Sequence, residues 1–310
     1  MDKRFIGFFV VMGVIDALIL AGLMYFTPSG QLKTGMTFMN IRNYPAAVHF
    51  LTRYAESRKS DHEVWIHIGE AYEAMGLRES AYRSYRTSLA RNPSYTTGYA
   101  KLGVSLAVNG KYDEAIQAFR ALLAIEPDNA NVYNNLGVIY MRIEDFDNAI
   151  RCYRKTIALD PGFAVAYGNL GAAYNRLERW HESLSVFQKA VALKSDYADA
   201  WFGLGVSYLN LGQAQQALES LVTAVRLNPR NTEAFVKLGD ASLRLKRWNV
   251  AVQAFTKAVE LNPGAPELYY QLGLAHTGAG NHAKARENYK ILRAIHPDLA
   301  EDLLVHLKGS

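Results

Sequence analysis

The chain has 310 residues, 50% apolar and 20% charged, with a single cysteine, Cys152. Its formal charge of +5 comes from 34 basic against 29 acidic residues spread along the chain, which excludes the clustered basic footprint of a nucleic-acid binder. One thiol excludes an intramolecular disulfide, and no C-x-x-C, zinc or haem-attachment spacing occurs.

Residues 1–4 form a basic flank in which Lys3 and Arg4 outweigh Asp2. From Phe5 to Phe26 run 22 residues with one charge, enough to cross a hydrocarbon layer of about 30 Å as a helix. Bulky Met24, Tyr25 and Phe26 stand where a cleaved signal peptide would carry small residues, so residues 5–26 are predicted to be a retained transmembrane signal-anchor helix. No lipid-attachment cysteine follows. Lys33 is the only basic residue among the first fifteen after the span, a bias that puts the N-terminus in the cytoplasm and the rest outside, in the periplasm if the cell is bacterial. In a eukaryotic cell several compartments fit the same rule.

Asp16 falls near the middle of this span, where a carboxylate costs about 2.5–3.5 kcal/mol and calls for a partner or a bound proton. Gly13, Ala17 and Ala21 recur every four residues beside it, and small residues at that spacing let a second helix approach closely. Either this face contacts a helix of a membrane protein, or Asp16 is a neutral residue in a simple tether.

Beyond the span the chain superposes on itself at a shift of 34 residues. Seven units cover residues 62–299, each opened by an aromatic: Trp65, Tyr99, Tyr133, Tyr167, Trp201, Phe235 and Tyr269. Three residues later stands Ile68 or a leucine, followed at once by Gly69, Gly103, Gly137, Gly171, Gly205, Gly239 or Gly273. A second helical stretch carries Ala81, Ala115, Ala149, Ser183, Ala217, Ala251 and Ala285, then, four residues on, Tyr85, Phe119, Tyr153, Phe187, Leu221, Phe255 and Tyr289. Prolines close every unit except one, which has Ser195. The small residues let two helices of a hairpin approach, the aromatics fill the gap between units, and each proline stops the second helix. Gly76, Gly110, Gly212 and Gly280 lie between the helices, where a left-handed residue commonly ends one.

Residues 31–61 form a weaker eighth unit, with Gly35, Tyr44, Ala47 and Leu51 in the corresponding slots and no closing proline. Residues 300–310 carry Leu303, Leu304 and Leu307 at helical spacing and are predicted to cap the last unit.

This order of aromatic, Leu-Gly, Tyr, Ala, Phe and Pro resembles the tetratricopeptide repeat (TPR) family over about three quarters of the chain. The resemblance implies an all-α, right-handed α-solenoid of helix-turn-helix repeats, here with an N-terminal transmembrane helix. Ser242 and His276 depart from it, standing in place of the tyrosine late in the first helix.

Such solenoids bind other protein subunits or extended peptides in a concave groove lined by the first helices. Asn135 and Asn169 occupy one slot of consecutive units, with Lys101, Lys237 and Gln271 in the same slot elsewhere. An asparagine amide both donates and accepts, so a row of them can pair with a peptide backbone whatever its sequence. The YNNLG and YGNLG strings are similar to the repeat arm of O-linked N-acetylglucosamine transferase, whose asparagine ladder grips peptide; two rungs of it are present. Asn131, Asn134, Arg142, Asn175, Arg176, Asn210 and Arg244 fall on the same surface by their helical offsets, giving a polar, mildly basic groove. Ordinary solvated helix surface is the alternative for each of them. The lysine-asparagine carboxylate clamp of chaperone-binding relatives is not matched in full.

No Gly-rich phosphate loop, metal-spaced histidine set or nucleophile elbow occurs, so the chain is expected to be no enzyme and to hold no cofactor. His276 and His282 suit helix surface or packing, Cys152 a buried thiol, and Glu144-Asp145 a solvated turn. A membrane-anchored scaffold follows: a subunit or assembly factor of a membrane protein complex, the role of anchored repeat proteins in cytochrome maturation, pilus or secretion assembly and respiratory or photosynthetic complexes. The alternatives are a transport receptor of the mitochondrial-import type, disfavoured by a basic groove, and the non-catalytic arm of an enzyme complex.

Overall fold

The computed structural model describes residues 27–308. The span at Phe5–Phe26, with Gly13, Asp16, Ala17 and Ala21, lies outside the described residues, as does the flank at residues 1–4. Among the described residues no helix is long and apolar enough to cross a membrane.

Seventeen helices and no strand make up the described residues. In chain order they are α1 Pro28–Asn40, α2 Tyr44–Ser57, α3 Glu63–Ala74, α4 Arg78–Arg91, α5 Thr96–Val108, α6 Tyr112–Ile125, α7 Ala130–Arg142, α8 Phe146–Leu159 and α9 Ala164–Arg176. Then follow α10 Trp180–Leu193, α11 Ala198–Asn210, α12 Ala214–Leu227, α13 Thr232–Arg244, α14 Trp248–Leu261, α15 Pro266–Gly278, α16 His282–Ile295 and α17 Pro297–Lys308. The chain divides into two compact units, one ending at Ile139 and the other beginning at Tyr140. Each is an all-α stack of helical hairpins. In the first, α1 pairs with α2, α3 with α4 and α5 with α6. The second pairs α9 with α10, α11 with α12, α13 with α14 and α15 with α16, and α17 packs on both α15 and α16.

The repeated glycine is a spacing device. A Cβ built on Gly239 would stand 2.4 Å from the fully buried Phe255 ring, so the helix pair closes only because that atom is missing. The last hairpin solves the same problem differently: beside Gly273 the nearest atoms belong to Leu303 of α17. Leu303, Leu292 and Ala300 form the terminal core with Tyr269, Tyr289 and Leu307 packed against it.

Each hairpin turn needs one left-handed residue. Gly76, Gly110, Gly212 and Gly280 supply it in four hairpins, and Arg42, Glu144, Glu178 and Lys246 hold the same conformation in the other four, at φ of 55–60°. The second helices end at Arg91, Ile125, Leu159, Leu193, Leu227, Leu261 and Ile295, a constant 34 residues apart. Helix α10 ends on this register although Ser195 replaces proline after it, so packing, with proline as an accessory, sets the stop. Pro297 has a second use, since α17 starts on it, the position where a missing N–H costs a helix nothing.

Where the family tyrosine is absent, the interior is adjusted locally. Ser242 is buried and donates its hydroxyl to the Leu238 carbonyl at 2.7 Å. His276 is also buried, its Nδ1 has no partner, and burial pushes its pKa below the ordinary histidine value.

Candidate functional site

In the first unit the open face of the first helices is partly neutralised. Lys101 on α5 reaches Glu70 of α3 at 2.6 Å, and Glu70 also meets His67 Nδ1 at 3.2 Å. The His67 hydrogen bond and the Lys101 ammonium hold the Glu70 carboxyl down at about 2 against the opposing effect of burial. Lys101 is therefore already engaged within the chain. One and two turns along α5, Val104 and Val108 are exposed, Val108 at 80%. On α7, Asn131 is exposed, Asn134 and Asn135 are half-buried, and Val138 is exposed beside them. Asn135 belongs to this unit and Asn169 to the second.

In the second unit a concave depression of about 600 Å3 opens over α9, α11 and the start of α13. Its floor holds Ala172, Phe202 and Val206, and Gly168 and Gly203 also line it. Asn169, Asn175 and Arg176 stand on the α9 side, and Asp199, Asn231 and Glu233 are among the other residues that line it. Three residues expected from the sequence thus meet in one site. Asn210, Lys237, Arg244, Gln271 and Arg142 do not line it.

The site differs from the polar, mildly basic groove expected. Ala172, Phe202 and Val206 give it an apolar surface, and Asp199 and Glu233 add two carboxylates to a lining whose one cation is Arg176. Arg176 is moreover paired with Glu144 at 3.0 Å and lies over the Phe146 ring. The asparagine row also has a physical stop: Gly203 holds the slot of Asn169 one repeat later, and any Cβ there would be 2.2 Å from the Phe187 ring.

Several of the expected contact residues, Asn175 among them, also serve the scaffold. The Asn175 amide oxygen accepts from Ser183 Oγ and from Ser207 Oγ at 3.1 Å, and its Nδ2 donates to the Gly203 carbonyl at 3.5 Å. Ser183 and Ser207 are fully buried 2.8 Å apart, so this amide satisfies two hydroxyls that have left water. Arg244 donates to the Leu209 carbonyl at 2.6 Å, in the last turn of α11, where a cation meets the negative end of the helix dipole. Asn210 turns back to the Val206 carbonyl at 2.9 Å, and Lys237 lies 4.0 Å from Asp240, whose pKa is raised by burial. Arg142 is exposed at the end of α7 and Gln271 half-buried on α15.

Sequence reasoning passed over Asp199, Phe202, Val206 and Glu233. Their signal was available: Asp199 and Glu233 open the first turns of α11 and α13, and Phe202 and Val206 lie one turn apart on a face not used by the repeated packing slots.

Short helices with variable open faces on a repeated packed interior define a helical-repeat scaffold for protein–protein interaction. The model of the Cilia and flagella-associated protein 70 C-terminal domain, a TPR domain, matches residues 121–298, more than half of the chain, and a Tetratricopeptide repeat model matches residues 66–130. The chain belongs to this family of tetratricopeptide-repeat domains. Among solved structures it is similar to YrrB, described as a TPR protein with an unusual peptide-binding site, at 27% identity and a TM-score of 0.56, over 62% of this chain and 98% of that one. PilF of Pseudomonas aeruginosa (19% identity, TM-score 0.59, 68% of this chain and 96% of that one) shares the fold. So does a tetratricopeptide repeat protein from Parabacteroides merdae ATCC 43184 (17%, 0.57, 81% and 99%). No curated protein matches the chain.

Proposed function

We propose that the chain is a non-catalytic, single-pass membrane scaffold that holds a segment of another protein in the depression over α9 and α11, as a subunit or assembly factor of a membrane complex. The depression carries this reading. It joins an apolar floor that can take a side chain to amide and charged groups that can pair with a backbone, the pattern of a site for an extended peptide. The peptide-binding site in the name of YrrB supports it. The anchor rests on the sequence of Phe5–Phe26, and the Gly13, Asp16, Ala17 and Ala21 face is assigned to a helix of the membrane partner. The N-terminus is placed in the cytoplasm and the repeats on the outer side, which is periplasmic in a bacterium.

A photo-crosslinking side chain at Ala172, in native membranes, tests the groove. Asn169→Ala and Val206→Glu should each lower the yield of the adduct without lowering Tm; equal yield from all three chains would overturn the groove. Labelling cysteines placed at Ser29 or Gly309 from either side of the membrane tests the topology, and Asp16→Leu should release the membrane partner in mild detergent.

A transport receptor gains one specific observation. The apolar floor flanked by Asp199 and Glu233 suits a basic amphipathic targeting peptide better than a basic groove does. Cytosolic repeats in the labelling experiment would favour it.

A further inference from the structure

A second depression, of about 710 Å3, lies between α16 and α17, outside the groove just described. Tyr289, Leu304 and Leu307, each half-buried, make its apolar surface. Around them stand Arg286, Lys290 and Arg293 from α16 and Lys308 from α17, and among the described residues no carboxylate lines it. The acids of the same two helices, Glu287, Asp298, Glu301 and Asp302, are exposed and do not line it.

The four cations are unneutralised: none has a carboxylate partner among the described residues. That contrasts with Arg86, Lys111, Arg176, Arg179 and Lys257, which pair with acids at 2.6–3.0 Å. Along α16, Arg286, Lys290 and Arg293 recur at intervals of four and three, the spacing at which like charges repel. Among the described residues no acid offsets this arrangement, so an anionic partner docked there would be stabilised by it.

We infer that the α16–α17 depression docks an acidic segment of a partner protein, seating one large apolar side chain on Tyr289, Leu304 and Leu307 between carboxylates held by the surrounding arginines and lysines. The inference is independent of the groove over α9 and α11. Charge complementarity selects an anionic occupant. Concavity selects a polypeptide over an anionic bilayer: a membrane surface is engaged by apolar residues that protrude, whereas these three are recessed among the cations. Arginine also suits carboxylate, which it can grip through two parallel N–H bonds.

The test uses the purified full chain and a fluorescein-labelled synthetic peptide in which one Phe is flanked by Asp and Glu on both sides, followed by fluorescence anisotropy. Saturable binding should weaken by about tenfold or more in Arg286→Gln/Arg293→Gln and in Lys290→Glu. It should weaken likewise when the peptide Phe is replaced by Ala, and as salt is raised. Unchanged thermal melting of the variants keeps the comparison valid, because all three positions are exposed. Equal affinity for wild type and variants overturns the proposal. So does sedimentation with phosphatidylserine vesicles but no peptide binding, which assigns the patch to lipid, or a dimer of this chain abolished by the same substitutions, which assigns it to a second copy.

Discussion

Neighbouring residues of α9 obey different rules. Leu170 and Gly171 are buried against the second helix, whereas Asn169 and Ala172, beside them in sequence, line the open depression. The interior recurs because it is an exclusion problem: two helices approach only where a side chain is missing opposite a bulky one, a ring at Gly103, Gly171 and Gly239 and a leucine at Gly205 and Gly273. The open face changes from repeat to repeat because solvent or a partner constrains it there. A slot that recurs therefore reports packing, and a slot that varies reports function, with residues that cross between the two as the informative exceptions.

The sharpest break of this contrast is Gly239→Ala. One methyl placed 2.4 Å from the Phe255 ring forces that buried ring or the backbone to move, at a cost of roughly 1–3 kcal/mol, whereas Ala172→Gly on the open face should cost less. Urea denaturation should show a lower midpoint for the first substitution; matching midpoints would remove the exclusion argument.

Next in size is Asn175→Ala. It removes the acceptor of the buried Ser183 hydroxyl, while Ser207 keeps the Gly203 carbonyl at 2.9 Å and the two hydroxyls keep each other, so the loss is that of a buried hydrogen bond, roughly 0.5–1.5 kcal/mol, and this variant should melt below wild type. Asn169→Ala, on the same helix, should leave Tm in place and lower peptide capture. If Asn175→Ala melted like wild type while losing capture, Asn175 would belong to the face rather than the interior.

These two asparagines also show how far the sequence could be read. The hairpins were legible because each packing slot is repeated and repetition amplifies a weak signal: Gly103, Gly171 and Gly239 point to the same geometry. The open face has no such amplifier, so Asp199, Phe202, Val206 and Glu233 had to be seen in space. Asn175 lines the depression, and its second use, accepting from Ser183 and Ser207, was not read because its slot faces outward by helical offset. The clue was Ser183, a hydroxyl in a slot otherwise filled by alanine, which needs an acceptor once buried. The left-handed turns were half legible, since glycine marks four of them and Arg42, Glu144, Glu178 and Lys246 carry no compositional mark.

Those unmarked turns give a prediction of opposite sign. A left-handed conformation costs a side-chain-bearing residue roughly 1–2 kcal/mol, and glycine returns part of this through its larger backbone entropy, roughly 0.5–1 kcal/mol. Glu178→Gly and Lys246→Gly should each stabilise by about 0.5–1 kcal/mol in chemical denaturation and add when combined. Glu144→Gly should gain less, since it also removes the ion pair with Arg176. A loss of stability at Glu178 would mean that its side chain has a use that the turn geometry does not reveal.

The smallest effect separates the two kinds of slot most cleanly. Lys101 stands in the slot of Asn169, on the open face, yet its ammonium is held by Glu70 of the preceding hairpin. The folded state lowers the Glu70 pKa from 4.5 to about 2, first through the His67 hydrogen bond and then through Lys101, so these partners together contribute stability that is complete above pH 4.5 and is lost as pH falls from there through 2. Lys101→Met should therefore destabilise by less than about 1 kcal/mol at neutral pH, the range of solvent-exposed pairs. Its difference from wild type should shrink below pH 4.5 and with added salt. A difference that persisted undiminished below pH 2 would point to lost packing of the lysine stem against α3 rather than lost charge, and would move Lys101 from the open face to the interior.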